Sequence, residues 1–336
     1  MRKEKTIIFG IALVLLLAGC GRNPLNVDIS GISEEVSIIR FEQELLSPEN
    51  QPMDKLLPAL ADKYPDFTPL FTDQVLRVGN PEEEGTSEGL ATFRSDTMIQ
   101  SAYRLSEIRH ASFDKTEKEL VKAFKRYRYH FPQAPLPNIY TCISGYNESA
   151  FVGEGVIGIS LDKYLGQDVA YYSLLGYPRY KQRKMIPEMI APDAVYVWAM
   201  GEFPISLKAT NLMEHIVHEG KMLYFMEAML PEAHDTLITG FTEPQVRWCR
   251  NNESQMWSYL IEHELLYSSK QMDIVRYIND GPMTNGFPPE SPGRTGAWIG
   301  WQIICKYMKK FPETTLPQLM ANENYQEILT QSGYLP

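Results

Sequence analysis

Apolar residues recur along this chain mostly at helical spacing, with a few short stretches that read as strands. Val36-Ser37-Ile38-Ile39-Arg40-Phe41 alternates and predicts a strand. Residues 54–64 predict a helix closed by Pro65, and the acidic stretch 80–89 a solvated loop. Two helices follow over 95–109 and 114–131, with Asp114 and Glu117 at capping-box spacing. In the second, Leu120, Phe124 and Tyr127 fall on one face and form a core stripe. A strand over 138–144, a turn over 145–149 and a glycine-bearing continuation over 151–161 predict a β-hairpin. Helices are expected over 192–200, 207–230 and 242–269. The last opens with Thr242 and Gln245 as a capping box and Pro244 in its first turn. After a turn-rich loop over 279–289, Ser291-Pro292 fits the cap and first position of a final major helix. On it, Gly296 and Gly300 stand four apart, a spacing that admits close approach of another element.

The N-terminus changes the picture. Arg2, Lys3 and Lys5 precede an apolar run from Ile7 to Leu17, followed by Leu17-Ala18-Gly19-Cys20. This is the layout of a secretory signal, and its run is too short to span a bilayer. A cysteine in that setting forms a bacterial lipobox. The expected organisation is a signal peptide over 1–19, a lipidated Cys20 with a tether over 20–35, and a single globular domain over 36–336. Membrane residence then comes from acyl chains on Cys20.

Removing Arg2, Lys3, Lys5 and Glu4 leaves 29 basic and 41 acidic side chains, a formal charge of −12 on 317 residues. That balance opposes binding to nucleic acid or to anionic membrane surfaces, since phosphate binding requires clustered cations. With Cys20 lipidated, three thiols remain: Cys142, Cys249 and Cys305. An odd number leaves at least one free or paired between chains. Cys249 and Cys305 sit in helical, apolar contexts and read as inert residues. His110, His130, His234 and His263 are isolated and read as solvated or structural.

The chemistry-bearing segment is Glu214-His215-Ile216-Val217-His218-Glu219-Gly220-Lys221-Met222. On a helix, His215, His218, Glu219 and Met222 share one stripe, apart from the apolar arc of Leu212, Met213, Ile216, Val217 and Leu223. A zinc peptidase of the zincin type needs His-Glu-x-x-His, two imidazoles for the metal and a glutamate as general base. His218-Glu219 matches, but Met222 stands where the second imidazole belongs, and a thioether is a poor zinc ligand. Glu253 falls within the apolar stripe of Val246, Cys249, Met256 and Leu260 and so requires a partner.

Three readings stay open. One is a metal-free scaffold holding His215, His218, Glu219 and Glu253 in a polar network, with Glu219 a vestigial base. Another is a non-standard metal site from His215, His218 or Glu219, and Glu253, with zinc as the ion. The third is a set of unrelated polar residues satisfying a core. Met222 and Arg294 are candidates for a cleft, with Arg294 able to pair with Glu253 or Glu219.

Several longer motifs carry a resemblance. They are Ile39-Arg40-Phe41-Glu42, Gly158-Ile159-Ser160-Leu161-Asp162-Lys163-Tyr164-Leu165-Gly166, and His218-Glu219-Gly220-Lys221-Met222-Leu223-Tyr224-Phe225. Asn252-Glu253-x-x-x-Trp257 and Tyr277-Ile278-Asn279-Asp280-Gly281-Pro282 follow. The last is Ser291-Pro292-Gly293-Arg294-x-x-x-Trp298-Ile299-Gly300-Trp301-Gln302-Ile303. With the lipobox, these make the chain resemble the gliding-motility lipoprotein GldB family of the Bacteroidetes over nearly its whole mature length. The resemblance implies a lipoprotein needed, in gliding members, for surface movement and the associated secretion machinery, with no established enzymatic activity. It also implies a distant likeness to zinc peptidases, in agreement with the broken motif.

The expectation is therefore an α+β, predominantly helical, degenerate zincin-like domain with a small sheet. Its helix pair is 207–230 with 242–269, beside a sheet containing 138–161. The expected role is a non-enzymatic envelope component, lipid-anchored in the outer membrane and facing the periplasm. Its expected partners are envelope or gliding and secretion proteins, and no cofactor is expected. Gly21 rather than Asp after Cys20, and the absence of an acidic cluster there, agree with that location. The alternatives are a metal-dependent peptidase or hydrolase, and a peptide- or glycan-binding module.

Overall fold

The short strands form where β-branched and aromatic residues run between turns. The computed structural model describes residues 23–34, 36–47 and 51–336; the expected signal peptide and lipidated Cys20 lie outside them. Strands β1 (Ile38–Arg40), β2 (Asn138–Cys142), β3 (Ala150–Gly153) and β4 (Val156–Ser160) make one sheet in the order β1-β2-β4-β3. β1, β2 and β4 run parallel, and β3 returns antiparallel to β4. The hairpin therefore lies within 150–160, not between 138–144 and 151–161. The chain reverses at Glu154-Gly155, where Gly155 takes a left-handed φ of 68°, so β4 comes back beside β2 in the same direction. Gly158 leaves room for Phe151, whose ring would meet a Cβ there at 2.1 Å. Tyr140 stacks on Phe67 at 4.2 Å, anchoring the sheet to the helical layer.

Sixteen α-helices occupy the described residues. They are α1 (Phe41–Leu46), α2 (Met53–Lys63), α3 (Thr86–Ser95), α4 (Thr97–Arg109), α5 (Asp114–His130), α6 (Ala170–Leu174), α7 (Arg179–Gln182) and α8 (Ile190–Glu202). There follow α9 (Leu212–Met229), α10 (Asp235–Thr239), α11 (Glu243–Asn251), α12 (Glu253–Glu262), α13 (Gln271–Ile278), α14 (Thr295–Lys310), α15 (Leu316–Ala321) and α16 (Tyr325–Ser332). Leu120, Phe124 and Tyr127 are buried on α5 as their spacing requires. The acidic loop is shorter than its composition suggests, because Thr86 already opens α3. The first strand ends early because Phe41 begins α1. No described helix is long and apolar enough to cross a membrane.

Four expected boundaries are corrected. Asp114 is the first residue of α5 and Phe113 occupies the cap without a side-chain bond. α9 starts at Leu212, because Asn211 and Glu214 exchange side-chain and backbone bonds as a capping box. Residues 242–269 hold two helices, α11 and α12, separated at Asn252. The cap of α14 is Arg294, since the Ser291 hydroxyl accepts instead from the Thr284 amide at 3.4 Å.

The helix packed against α9 is consequently α14. A Cβ on Gly220 would lie 2.2 Å from the Gly300 carbonyl, and one on Gly300 would lie 1.8 Å from the Ile216 oxygen. The two helices meet backbone to backbone. The Gly296 and Gly300 spacing announces this crossing; its partner is α9, not 242–269. What emerges is a predominantly helical α+β domain with a four-strand sheet.

Candidate functional site

The α9–α14 crossing sets Glu219, next to Gly220, beside Arg294 at the head of α14. The Arg294 guanidinium donates to Glu219 Oε2 at 2.7 Å. The Tyr196 hydroxyl, from α8, donates to both Glu219 oxygens at 3.1 and 3.3 Å. Arg294 also lies over the Tyr196 ring at 5.6 Å. Burial first, then the adjacent Glu219 charge, pushes the Tyr196 hydroxyl up to about 12. Arg294 takes a left-handed φ of 48°, a conformation that favours glycine. A long side chain at such a position is held there by its contacts.

One turn earlier on α8, Asp193 accepts from the Tyr164 hydroxyl at 2.9 Å. Loss of solvent raises its carboxyl to about 6, against the pull of that bond and of Lys184 and Arg294. Tyr164 follows the exit of β4, where fully buried Asp162 accepts from the Ser144 and Tyr146 amides at 3.3 and 2.5 Å. Burial lifts this carboxyl too, to about 6. Lys163 donates to the Tyr146 carbonyl at 3.2 Å and to the Tyr177 hydroxyl at 2.8 Å. Lys184 pairs with Asp280 at 2.5 Å. Together Lys163, Tyr164, Tyr177, Lys184, Asp193 and Asp280 line a cleft of about 390 Å³ beyond the carboxyl ends of β2 and β4. Asp280 and Arg294 both act on Asp193, so the Glu219 cluster adjoins this cleft.

The loops that supply Asp280 and Arg294 are locked together. A Cβ on Gly293 would lie 2.5 Å from the Gly281 backbone. The Thr284 hydroxyl donates to the Pro292 carbonyl at 2.8 Å. Asp162–Tyr164, Glu219 and the paired loops of Asp280–Gly281 and Gly293–Arg294 thus meet here from three distant parts of the sequence.

The other candidates part company. His218 is buried with its ring edge-on to Tyr325, its Nδ1 has no partner, and burial lowers it to about 4. His215 is half-buried and likewise lowered, chiefly by desolvation. Met222 is fully buried, because α9 is enclosed on almost every side. Glu253 opens α12, and its carboxylate accepts from Tyr334 at 2.9 Å and Trp298 at 3.4 Å. Its need for a partner is met there, while Arg294 pairs with Glu219. Among the described residues, no three His, Cys, Asp or Glu side chains group to hold a metal ion. Cys142 and Cys249 are buried free thiols and Cys305 is half-buried.

Asp193, Tyr196, Tyr177 and Lys184 were not singled out by sequence reasoning. An acid and a tyrosine three residues apart on an otherwise apolar helix were the available signal. For Tyr177 and Lys184 there was none.

Fold and site define a mostly helical α+β protein whose cleft is built from paired charges and tyrosines. A family model described as gliding motility protein GldB matches residues 22–336, and the chain belongs to that family. No curated protein and no solved structure matches it.

Proposed function

We propose that this chain is a non-enzymatic component of the gliding and envelope machinery. In this reading it is lipid-anchored through Cys20 in the outer membrane, faces the periplasm, and holds a polar peptide segment of a machinery partner in the cleft beside β4 and α8. Membership of the GldB family supports the association with gliding. The observation that carries the non-enzymatic part is the state of Glu219: its carboxylate is engaged by Arg294 at 2.7 Å and by Tyr196. A general base must reach a water or substrate proton. Within this reading, His218-Glu219-x-x-Met222 is a zinc-peptidase motif that has lost its second imidazole and whose glutamate now serves structure. Cations, carboxylates and hydroxyls side by side suit a polar main chain, which offers donors and acceptors alternately.

The test combines metal analysis with complementation. The purified mature chain is expected to carry no stoichiometric zinc and to cleave no peptide. A zinc ion per chain that disappears in His218→Ala, together with peptidase activity, would overturn the proposal. In cells lacking the native copy, Lys184→Ala/Asp193→Ala is expected to fold and reach the envelope but not to restore surface movement.

A further inference from the structure

Helix α8 also borders a second groove, of about 370 Å³, against α5 and the turn after α9. Its floor is apolar, built from Ala191, Pro192, Leu230, Ala233 and Leu237. One wall is cationic. Lys115, Lys118, Lys122 and Arg126 follow at three- and four-residue steps along α5, so they share a narrow arc of that helix. The formal charge of the chain is −10, so this concentration is local.

Two of the lining carboxylates are already engaged. Glu119 stands 3.9 Å from Lys115, and Glu232 stands 3.4 Å from Arg126. Glu188 is the third, and it is exposed. Lys118 and Lys122 make no hydrogen bond or ion pair among the described residues. Arg126 is only 4 % exposed. One of its terminal nitrogens donates to the Met229 carbonyl at 3.2 Å, and its buried Nε has no partner. A buried donor of a charged group left without an acceptor is costly, and an anionic oxygen would satisfy it.

The chain also says where this groove faces. The Asn23 side chain donates to the Pro231 carbonyl at 3.3 Å, and Leu25 packs on the core. Pro231 stands between Leu230 and Glu232 of the groove. Three residues span at most about 11 Å, so Cys20 is held within that distance of Asn23. An acyl anchor on Cys20 brings this face to the bilayer.

We infer that the groove is the membrane-facing surface of the anchored protein and binds an anionic phospholipid of that membrane. The phosphate sits on Lys118, Lys122 and Arg126, and the first methylenes lie on the Ala191–Leu237 floor. The orientation rests on lipidation at Cys20; the binding chemistry does not. Each basic side chain near an anionic surface strengthens attachment by about 5-fold, and an acyl chain with a basic patch anchors more firmly than either alone.

The experiment is amine-reactive footprinting of the lipidated chain in phosphatidylcholine vesicles, with and without one third phosphatidylglycerol. Acylation is checked on the same sample by intact mass. Lys118 and Lys122 are expected to be protected about 5-fold by the anionic lipid. Lys208 serves as the unprotected reference, because it precedes the opposite end of α9, about 27 Å away. Lys115, next in the same row, should share that protection and lose it in Lys118→Glu/Lys122→Glu, two exposed changes. Equal labelling in both membranes by acylated protein would overturn the proposal. So would protection by inorganic phosphate alone, or protection that needs added envelope protein. An unacylated chain would show instead that the anchor reading has failed. The same vesicles are then added in excess, where protection still supports the groove and its absence overturns it.

Discussion

Helix α8 separates two clefts that treat charge in opposite ways. On the sheet side, Asp193 and Tyr196 face groups whose charges already meet within the chain: Arg294 with Glu219, Lys184 with Asp280, Lys163 with Tyr146 and Tyr177. On the other side, Ala191 and Pro192 floor a groove in which Lys118 and Lys122 meet no anion among the described residues. Paired, half-buried charges contribute to the fold, because removing one strands the other. Exposed, unpaired charges contribute to attraction over distance and little to stability. Substitutions in the first cleft should therefore cost folding free energy, and those of Lys118 and Lys122 in the second should cost binding alone.

The severest way to break the comparison is to part α9 from α14. In Gly300→Ala the new Cβ lies 1.8 Å from the Ile216 oxygen, a backbone atom that a rotamer change cannot relieve. A loss of at least about 3 kcal/mol is expected. Urea unfolding measures it, and a midpoint unchanged from the native chain would refute the idea that this crossing positions Glu219 against Arg294.

Next in size is Arg294→Ala. The pair keeps 16 % and 14 % side-chain exposure, so its loss should cost about 2–3 kcal/mol, below the fully buried range. Arg294→Gly should recover up to about 1 kcal/mol of that, because glycine takes the left-handed φ of 48° without strain. Alanine and glycine variants of equal stability would mean that the backbone there is relaxed, and that the arginine needs no contact to hold it.

Parts of this arrangement were legible in the sequence. The Gly296 and Gly300 spacing announced a close crossing, and Arg294 was a candidate partner for Glu219. The partner helix was not legible, because apolar residues keep helical spacing on both sides of Asn252 and the break there involves neither glycine nor proline. Glu253 looked like a distant ligand because it interrupts that stripe. At the start of α12 it finds Trp298 and Tyr334, both far along the chain. The sheet-side cleft was hidden for the same reason: its members come from β4, α8 and two interlocked loops. Net charge also obscured the second groove, since a sum over the chain says nothing of one helix face.

Titration sharpens the contrast between burial and pairing. His218 is buried without a charge partner and lowered to about 4 from the usual 6.5. The unfolded chain therefore takes up this proton first as pH falls, and stability present above 6.5 is lost progressively down to about 4. His110 and His130 behave alike. Asp193 runs the other way: its carboxyl is raised to about 6, so the cost of keeping it ionised is relieved as pH drops through that value. His218→Phe should thus gain about 2 kcal/mol relative to the native chain between pH 7 and pH 5. Thermal melts at the two pH values test this. A constant difference would mean that His218 protonates freely in the folded state.

The smallest effect is expected where the charges are most concentrated. Lys118→Ala and Lys122→Ala remove exposed ammonium groups without ion partners, and each should change stability by less than about 0.5 kcal/mol. The helix itself favours the substitution slightly, since alanine is the better helix former. A loss well above that figure would mean that these lysines already have an intramolecular role, and that the two clefts are not opposites. A null result in urea, set beside a clear loss in Arg294→Ala, is what separates charges held for the fold from charges held for a partner.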